Sequence, residues 1–130
     1  MGVPLTVNGR KYDVDNTLTE RLSYILREVL GLTGTKIGCD AGDCGACTIL
    51  LNGTQVCSCM IPLGRAEGQD IKTVEGLNSN GQLSALQQAF HTFGAAQCGI
   101  CTPGMLMAAS ELLSSNPSPT ENEISDALGG

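Results

Sequence analysis

Three cysteines, Cys39, Cys44 and Cys47, stand as C-x4-C-x2-C inside KIGCDAGDCGACTILLNGTQVCSC, and Cys57 and Cys59 close the stretch. This is the plant-type ligand spacing for a [2Fe–2S] cluster, and it names single-electron transfer as the chemistry. Thiolates are soft donors suited to iron–sulfur centres, but they must converge from several directions on one compact core. Gly38, Gly42 and Gly45 alternate with the ligands. Lacking Cβ atoms, they allow unusual backbone angles and bring N–H groups close to sulfur. Bonds of that kind stabilise an added electron and raise the reduction potential from the roughly −400 mV of plant-type sites. The competing structural reading is a zinc site using two or more of the same cysteines. A C-x4-C-x2-C run in a glycine-rich loop is the more specific signal, and it favours iron–sulfur.

A second pair, Cys98 and Cys101 in QCGICTPG, is ambiguous by itself. It fits a zinc knuckle, a redox dithiol or a helix-packing pair, and a helix beginning near Pro103 would lower a nearby thiol pKa through its dipole. A hybrid zinc site joining Cys44 and Cys47 to Cys98 and Cys101 would strand Cys39 and Cys59, which ranks it low. The lone His91 lies in a helical stretch with no second histidine in the chain and reads as a solvated side chain. Asp40 and Asp43 beside the loop read as solvated charges rather than docking groups, and Glu121, Glu123 and Asp126 as first-turn and surface charges. No triad or paired-carboxylate context surrounds any Ser, Asp or Glu, so no catalytic residue is assigned.

The elements that must position these thiols follow from periodicity. Leu5 and Val7 alternate with polar neighbours, Asn8-Gly9 supplies a two-residue turn, and Tyr12 and Val14 resume the alternation, which makes a hairpin. Thr17 or Thr19 caps a helix in which Leu22, Ile25, Leu26 and Val29 recur, ended by Gly31 and covering one face of a sheet. Thr48 to Leu51 and Thr54 to Cys57 flank a second turn at Asn52-Gly53, and Ile71 to Val74 gives another short strand. Counting back through that turn sets Cys47 opposite Ser58, so Cys57 and Cys59 both return to the cysteine loop. Register alone does not choose between them. Asn52-Gly53-Thr54 therefore reads as a turn rather than a glycosylation acceptor, and Gly2 as the start of a strand rather than a myristoylation site.

Beyond the linker GLNSNG, Gly76 to Gly81, helices take over. Leu83, Leu86, Phe90 and Phe93 form one apolar stripe. Thr102 precedes Pro103 at a first-turn position of a helix continued by Met105, Leu106, Ala109, Leu112 and Leu113. Pro117 and Pro119 separate it from a last helix, where Thr120 and Glu123 form a capping-box pattern ahead of Ile124, Ala127 and Leu128.

The chain has 130 residues, seventeen of them Gly, only four aromatic and none Trp, so its core must be aliphatic and modest. A net charge of −6 argues against nucleic acid and anionic membranes as partners. No stretch is apolar enough to span a bilayer and no secretory signal opens the chain, which places it in the cytoplasm. Seven cysteines in that reducing compartment are expected to be ligands or free thiols.

With both cysteine blocks in view, the sequence resembles the small iron–sulfur subunit, or equivalent N-terminal region, of the xanthine oxidase family of molybdenum hydroxylases. That family includes aldehyde oxidoreductases and carbon monoxide dehydrogenases. The resemblance runs nearly end to end, through LREVLGLTGTKIGCDAGDCGACTILLNG, the SCM around Cys59, IKTVEGL, QCGICTPGMLMAASELL and NPSPTENEISDALGG. It implies an α+β architecture: a β-grasp, plant-ferredoxin-like domain over 1–77 carrying Cys39, Cys44, Cys47 and Cys59, then an α-helical domain over 78–130 carrying a second [2Fe–2S] cluster. Cys59 thus becomes the fourth ligand by resemblance, leaving Cys57 a free thiol. Cys98 and Cys101 match one ligand pair of the second cluster. The family takes the other pair from a C-x-C motif beyond the third helix, and because the chain ends at Gly130 a truncated C-terminus is expected.

The resemblance further implies an electron-transfer subunit with no substrate-transforming residues of its own. Its partners would be a large subunit with a molybdenum–pterin centre, which hydroxylates an aldehyde or aromatic heterocycle with water, and an FAD-binding medium subunit or another acceptor. Gln97 matches the family's polar contact to the pterin. Two other functions compete: a free ferredoxin-like carrier using only the first cluster, against which the 78–130 segment argues, and a zinc-stabilised interaction module without redox activity.

Overall fold

A computed structural model describes residues 2–78 and 84–128. The linker residues 79–81, Leu83 of the expected stripe and the terminal glycines lie outside the described residues. Strands β1 (Val3–Val7) and β2 (Arg10–Val14) pair antiparallel about Asn8-Gly9, both at positive φ, as a type I′ turn requires. The second hairpin, β3 (Thr48–Leu51) and β4 (Thr54–Cys57), turns at Asn52-Gly53 in the same way. A short β5 (Asp70–Lys72) lies between them, parallel to β1 and antiparallel to β3, giving the order β2-β1-β5-β3-β4. This mixed sheet, gripping one helix, is the expected β-grasp arrangement. The expected strand at Ile71 to Val74 is shorter than read: Val74 already belongs to a 3₁₀ turn, Val74–Leu77, because the Thr73 N–H is taken by the Asn8 side chain.

The gripped helix α1 (Leu22–Tyr24) widens at once into a π-helical stretch, Ile25–Val29, in which the Leu30 N–H reaches back to the Ile25 carbonyl. Leu22, Ile25 and Leu26 are fully buried against Leu5, Val7, Ile49 and Ile71, as the spacing predicts. Neither Thr17 nor Thr19 caps it. Arg21 holds that position without a side-chain bond, and the Leu22 N–H donates to the Ile61 carbonyl instead. Val29 is exposed, since the widened turn rotates it off the core. Gly31 ends the element at positive φ, as expected. A short helix α2 (Leu63–Ala66) closes the lower edge of the core with Leu63 and Ala66 fully buried.

Helix α3 (Ala85–Thr92) begins with a capping box between Ser84 and Gln87. Leu86 and Phe90 are half-buried, but Phe93 lies past the helix end at 84% exposure, so the apolar stripe does not extend to it. Helix α4 (Thr102–Ser115) packs against β3. That contact explains why Thr48, Ile49 and Leu50 are all buried: Ile49 faces the α1 core, and the alternate positions face α4. Met107 and Ala108 are buried beside the expected Leu106 and Ala109, while Leu113 is exposed. Helix α5 (Glu121–Leu128) opens with the predicted box: the Thr120 N–H donates to Glu123, and the Glu123 N–H to the Thr120 hydroxyl. Among the described residues no helix is long and apolar enough to cross a membrane.

Candidate metal centre

Residues 30–47 connect the end of the gripped helix to β3 as one irregular segment, and from residue 39 on its backbone turns inward onto sulfur. The Cys39 Sγ accepts N–H bonds from Ala41, Asp43 and Cys44 at 3.2–3.4 Å. The Cys44 Sγ accepts from Cys39 and Ala46, the Cys47 Sγ from Cys59, and the Cys59 Sγ from Gly42 at 3.2 Å. Two positive-φ glycines, Gly42 and Gly45, turn the chain so that these donors point inward. Gly38 serves differently: a Cβ there would lie 2.6 Å from the Cys44 sulfur.

The return strand supplies the remaining thiols. Register places Thr48 opposite Cys57, and Ser58 locks the next step by donating both its N–H and its hydroxyl to the Cys47 carbonyl, at 3.3 and 2.7 Å. A 3₁₀ turn, Ser58–Met60, then drops Cys59 into the interior. Cys57 is half-buried and its thiol faces the Gly42 carbonyl at 3.8 Å. Both candidates therefore reach the loop, and only Cys59 sits buried beside Cys47 with a loop N–H on its sulfur.

Cys39 lies within side-chain hydrogen-bonding reach of Cys44, and Cys47 within reach of both Cys59 and Cys57. Two sulfurs per metal is the donor set of a binuclear iron–sulfur core. Electrostatics agree on the loop side. The N–H groups of Cys44, Ala41 and Asp43 lower the Cys39 thiol to about 7, so its backbone is already arranged for a negative sulfur. Burial, reinforced by the neighbouring Cys47, pushes Cys59 up to about 11, and burial likewise raises Cys57. A thiol so enclosed ionises when a cation takes the proton's place. The residues present thus fit a [2Fe–2S] group.

Several supports were not legible beforehand. Arg21 donates to the Asp40 carbonyl at 2.6 Å and pairs with its carboxylate at 2.5 Å, so Asp40 is an anchored loop residue rather than a merely solvated charge. The Asp40 carboxylate in turn raises the Arg21 pKa, mainly through that bond. Asp43 is exposed, as expected. Met60, half-uncovered, lies over Gly42. Only Ser58 had a sequence signal, its place opposite Cys47 in the hairpin count.

Cys98 and Cys101 lie on an exposed turn ahead of α4, whose first residue follows Cys101. Gln97, which precedes Cys98, and His91 are exposed. Cys101, but not Cys98, lines a cavity of about 640 Å³ with Cys44, Cys57, Met105, Ala108 and Leu128. The structure thereby brings part of the second block to a wall of the first.

Known proteins share both blocks. A family profile described as "2Fe-2S iron-sulfur cluster binding domain" matches residues 5–76, and one described as "[2Fe-2S] binding domain" matches residues 73–130. The chain is 49% identical over 128 residues to the nicotine 6-hydroxylase small subunit of Paenarthrobacter nicotinovorans, spanning 98% of this chain and 77% of that one. It is 44% identical to the nicotinate dehydrogenase small FeS subunit of Eubacterium barkeri, over 98% of this chain and 82% of the relative. The solved structure of quinoline 2-oxidoreductase from Pseudomonas putida 86 superposes with a TM-score of 0.97 at 45% identity, covering all of this chain and 80% of that one.

Proposed function

This chain belongs to the small iron–sulfur subunits of the molybdenum hydroxylase family, an electron-transfer component of an oxidoreductase, and from that premise we propose which of its residues do the work. Cys39, Cys44, Cys47 and Cys59 hold one [2Fe–2S] cluster, and Cys98 and Cys101 supply two of the four ligands of a second. When bound, such clusters accept and release single electrons. The protein's own contribution is the setting. Six loop N–H groups and the Cys59 N–H face the four sulfurs and favour added negative charge, and burial of Cys47 and Cys59 keeps water from that side. That donor pattern is the observation that carries the assignment.

The family profiles support dividing the chain at 77/78 into a ferredoxin-like and a helical domain. The partners are a large subunit bearing a molybdenum–pterin centre and an FAD-binding subunit or another acceptor, with Gln97 contacting the pterin. The substrate is an aldehyde or an aromatic heterocycle; the similarity to nicotine, nicotinate and quinoline enzymes favours the heterocycle. The protein works in the cytoplasm, where thiols stay reduced and free to ligate.

The test is anaerobic analysis of iron and acid-labile sulfide together with electron paramagnetic resonance of the reduced protein. Cys44→Ser is expected to abolish the rhombic signal of the first cluster, whereas Cys57→Ser preserves it. A colourless zinc-bound protein overturns the assignment, and loss of the signal in Cys57→Ser moves the fourth ligand from Cys59 to Cys57.

A further inference from the structure

The two cysteine blocks are far apart in sequence but share a cavity wall, and one face of α4 holds them there. Gly104 sits in the first turn of the helix, buried against the loop backbone. A Cβ built on it would overlap the Gly45 carbonyl oxygen and lie 3.2 Å from the Gly45 carbonyl carbon and 3.4 Å from that of Ala46. All three atoms are backbone, so no side-chain rotation relieves the overlap. Nor is the Gly45 carbonyl free to retreat. It accepts the Thr48 hydroxyl at 2.7 Å and the Thr48 N–H at 3.2 Å, which tie it to the start of β3.

Two turns further along the same face, Glu111 accepts the outward N–H of Gln55 on the edge strand β4. Between them Ala108 is buried. Positions 104, 108 and 111 follow helical spacing, so one stripe of α4 runs from the Cys44–Cys47 loop to the hairpin that returns Cys57 and Cys59. The Met105 N–H donates to the Cys101 carbonyl at 3.0 Å, so Cys101 moves with the first turn of the helix.

We infer that Gly104 and Glu111 are positioning residues that fix the Cys98–Cys101 turn at a set distance from the Cys39–Cys47 loop: Gly104 by direct backbone contact with Gly45, Glu111 by anchoring the far end of the same helix face. Neither touches a thiol. Their role is the spacing, and hence the electronic coupling, between the two ligand groups. The inference rests on the assignment of those cysteines to two clusters.

The experiment uses the assembled, iron-loaded complex, reduced anaerobically, with electron paramagnetic resonance as the readout. Gly104→Ala is expected to retain full iron and sulfide content, to shift the g values of the first cluster's signal and to lose the magnetic splitting between the two centres. Glu111→Ala, which keeps the helix start intact and guards against a Gly104 variant that fails to fold, is expected to shift the same splitting to a smaller degree. Ser114→Gly loosens the same helix at an exposed position away from the loop and should leave the spectrum unchanged. Spectra of Gly104→Ala and Glu111→Ala superimposable on wild type overturn the inference while leaving the ligand assignment intact. A wild-type complex without iron overturns the assignment and the inference together.

Discussion

The loop carrying Cys39, Cys44 and Cys47 and the turn carrying Cys98 and Cys101 solve the same chemical problem with different amounts of protein. The first is set by its own backbone. Its sulfurs receive backbone N–H bonds, Arg21 anchors Asp40 from outside, and Ser58 fixes the return strand. The second is two exposed thiols on a short turn whose position is inherited from α4. Where the backbone itself solvates sulfur, local sequence dictates the site. Where it does not, the site depends on how a distant helix is seated.

The largest test of that contrast asks whether the two regions stand or fall together. Ile49 lies in the sheet beneath the first site and Met107 in the helix behind the second, both fully buried. Ile49→Ala and Met107→Ala should each cost about 2–5 kcal/mol. Because α4 packs directly on β3, both should lower the midpoint of one shared urea transition, followed by circular dichroism. Two separate transitions, each sensitive to one substitution, would make the turn a feature of an independent unit and remove its dependence on the sheet.

A smaller effect separates the sites by glycine. Gly42 and Gly99 both hold positive φ, 75° and 87°, so alanine at either costs about 1–2 kcal/mol of backbone strain. At Gly42 the new methyl would also meet Met60 at 2.7 Å, whereas nothing lies within 4 Å at Gly99. Gly42→Ala should therefore lose more stability than Gly99→Ala, and it alone should weaken the N–H bond to the Cys59 sulfur. Equal urea midpoints for the two variants would show that the loop yields as easily as the turn.

The same contrast explains what the sequence revealed. Both Asn-Gly hairpins were legible because the turn chemistry is local, and with them the return of Cys57 and Cys59 to the loop. The Thr120–Glu123 box was legible for the same reason. Neither Thr17 nor Thr19 caps α1, because the Leu22 N–H is satisfied across the chain by Ile61, which no local pattern records. Val29 fits a helical stripe, and only the i→i+5 bonding that turns it outward shows otherwise. Phe93 continues the apolar stripe in sequence, but the helix ends at Thr92, before reaching it. The Arg21–Asp40 anchor and the Gly104–Gly45 contact join residues distant in sequence, and neither residue type advertises its partner.

Arg21 offers a finer probe, since it supports the loop without touching a thiol. Replacing it with Gln removes a positive charge beside the loop and the bond to the Asp40 carbonyl. The pair is half exposed, so solvent screens the charge and stability should change little. Amide exchange at residues 40–44 should quicken, and the midpoint potential of the first cluster should fall, because an added electron loses a nearby cation. The potential of the second cluster should stay put. Equal shifts in both would mean that the charge acts across the whole molecule and distinguishes neither region.

The smallest effect lies in α5, whose last turn lines the cavity between the two sites through Asp126, Ala127 and Leu128. Bonds from the Thr120 N–H, then the Thr120 hydroxyl contact and the Asn116 amide, hold the Glu123 carboxyl below its ordinary pKa. A carboxylate with a depressed folded pKa contributes stability that is complete above its unfolded pKa and is lost as pH falls through the folded value. The helix start should therefore fray only on acidification below the usual carboxylate range. Thr120→Ala, by removing the hydroxyl partner, should fray it already at neutral pH and flatten the acid response. Amide exchange of Glu123 and Ile124 across pH reads both. If wild-type exchange, corrected for its intrinsic pH dependence, is flat through the acid range, the cap does not hold that wall, and α4 alone seats the second pair of cysteines.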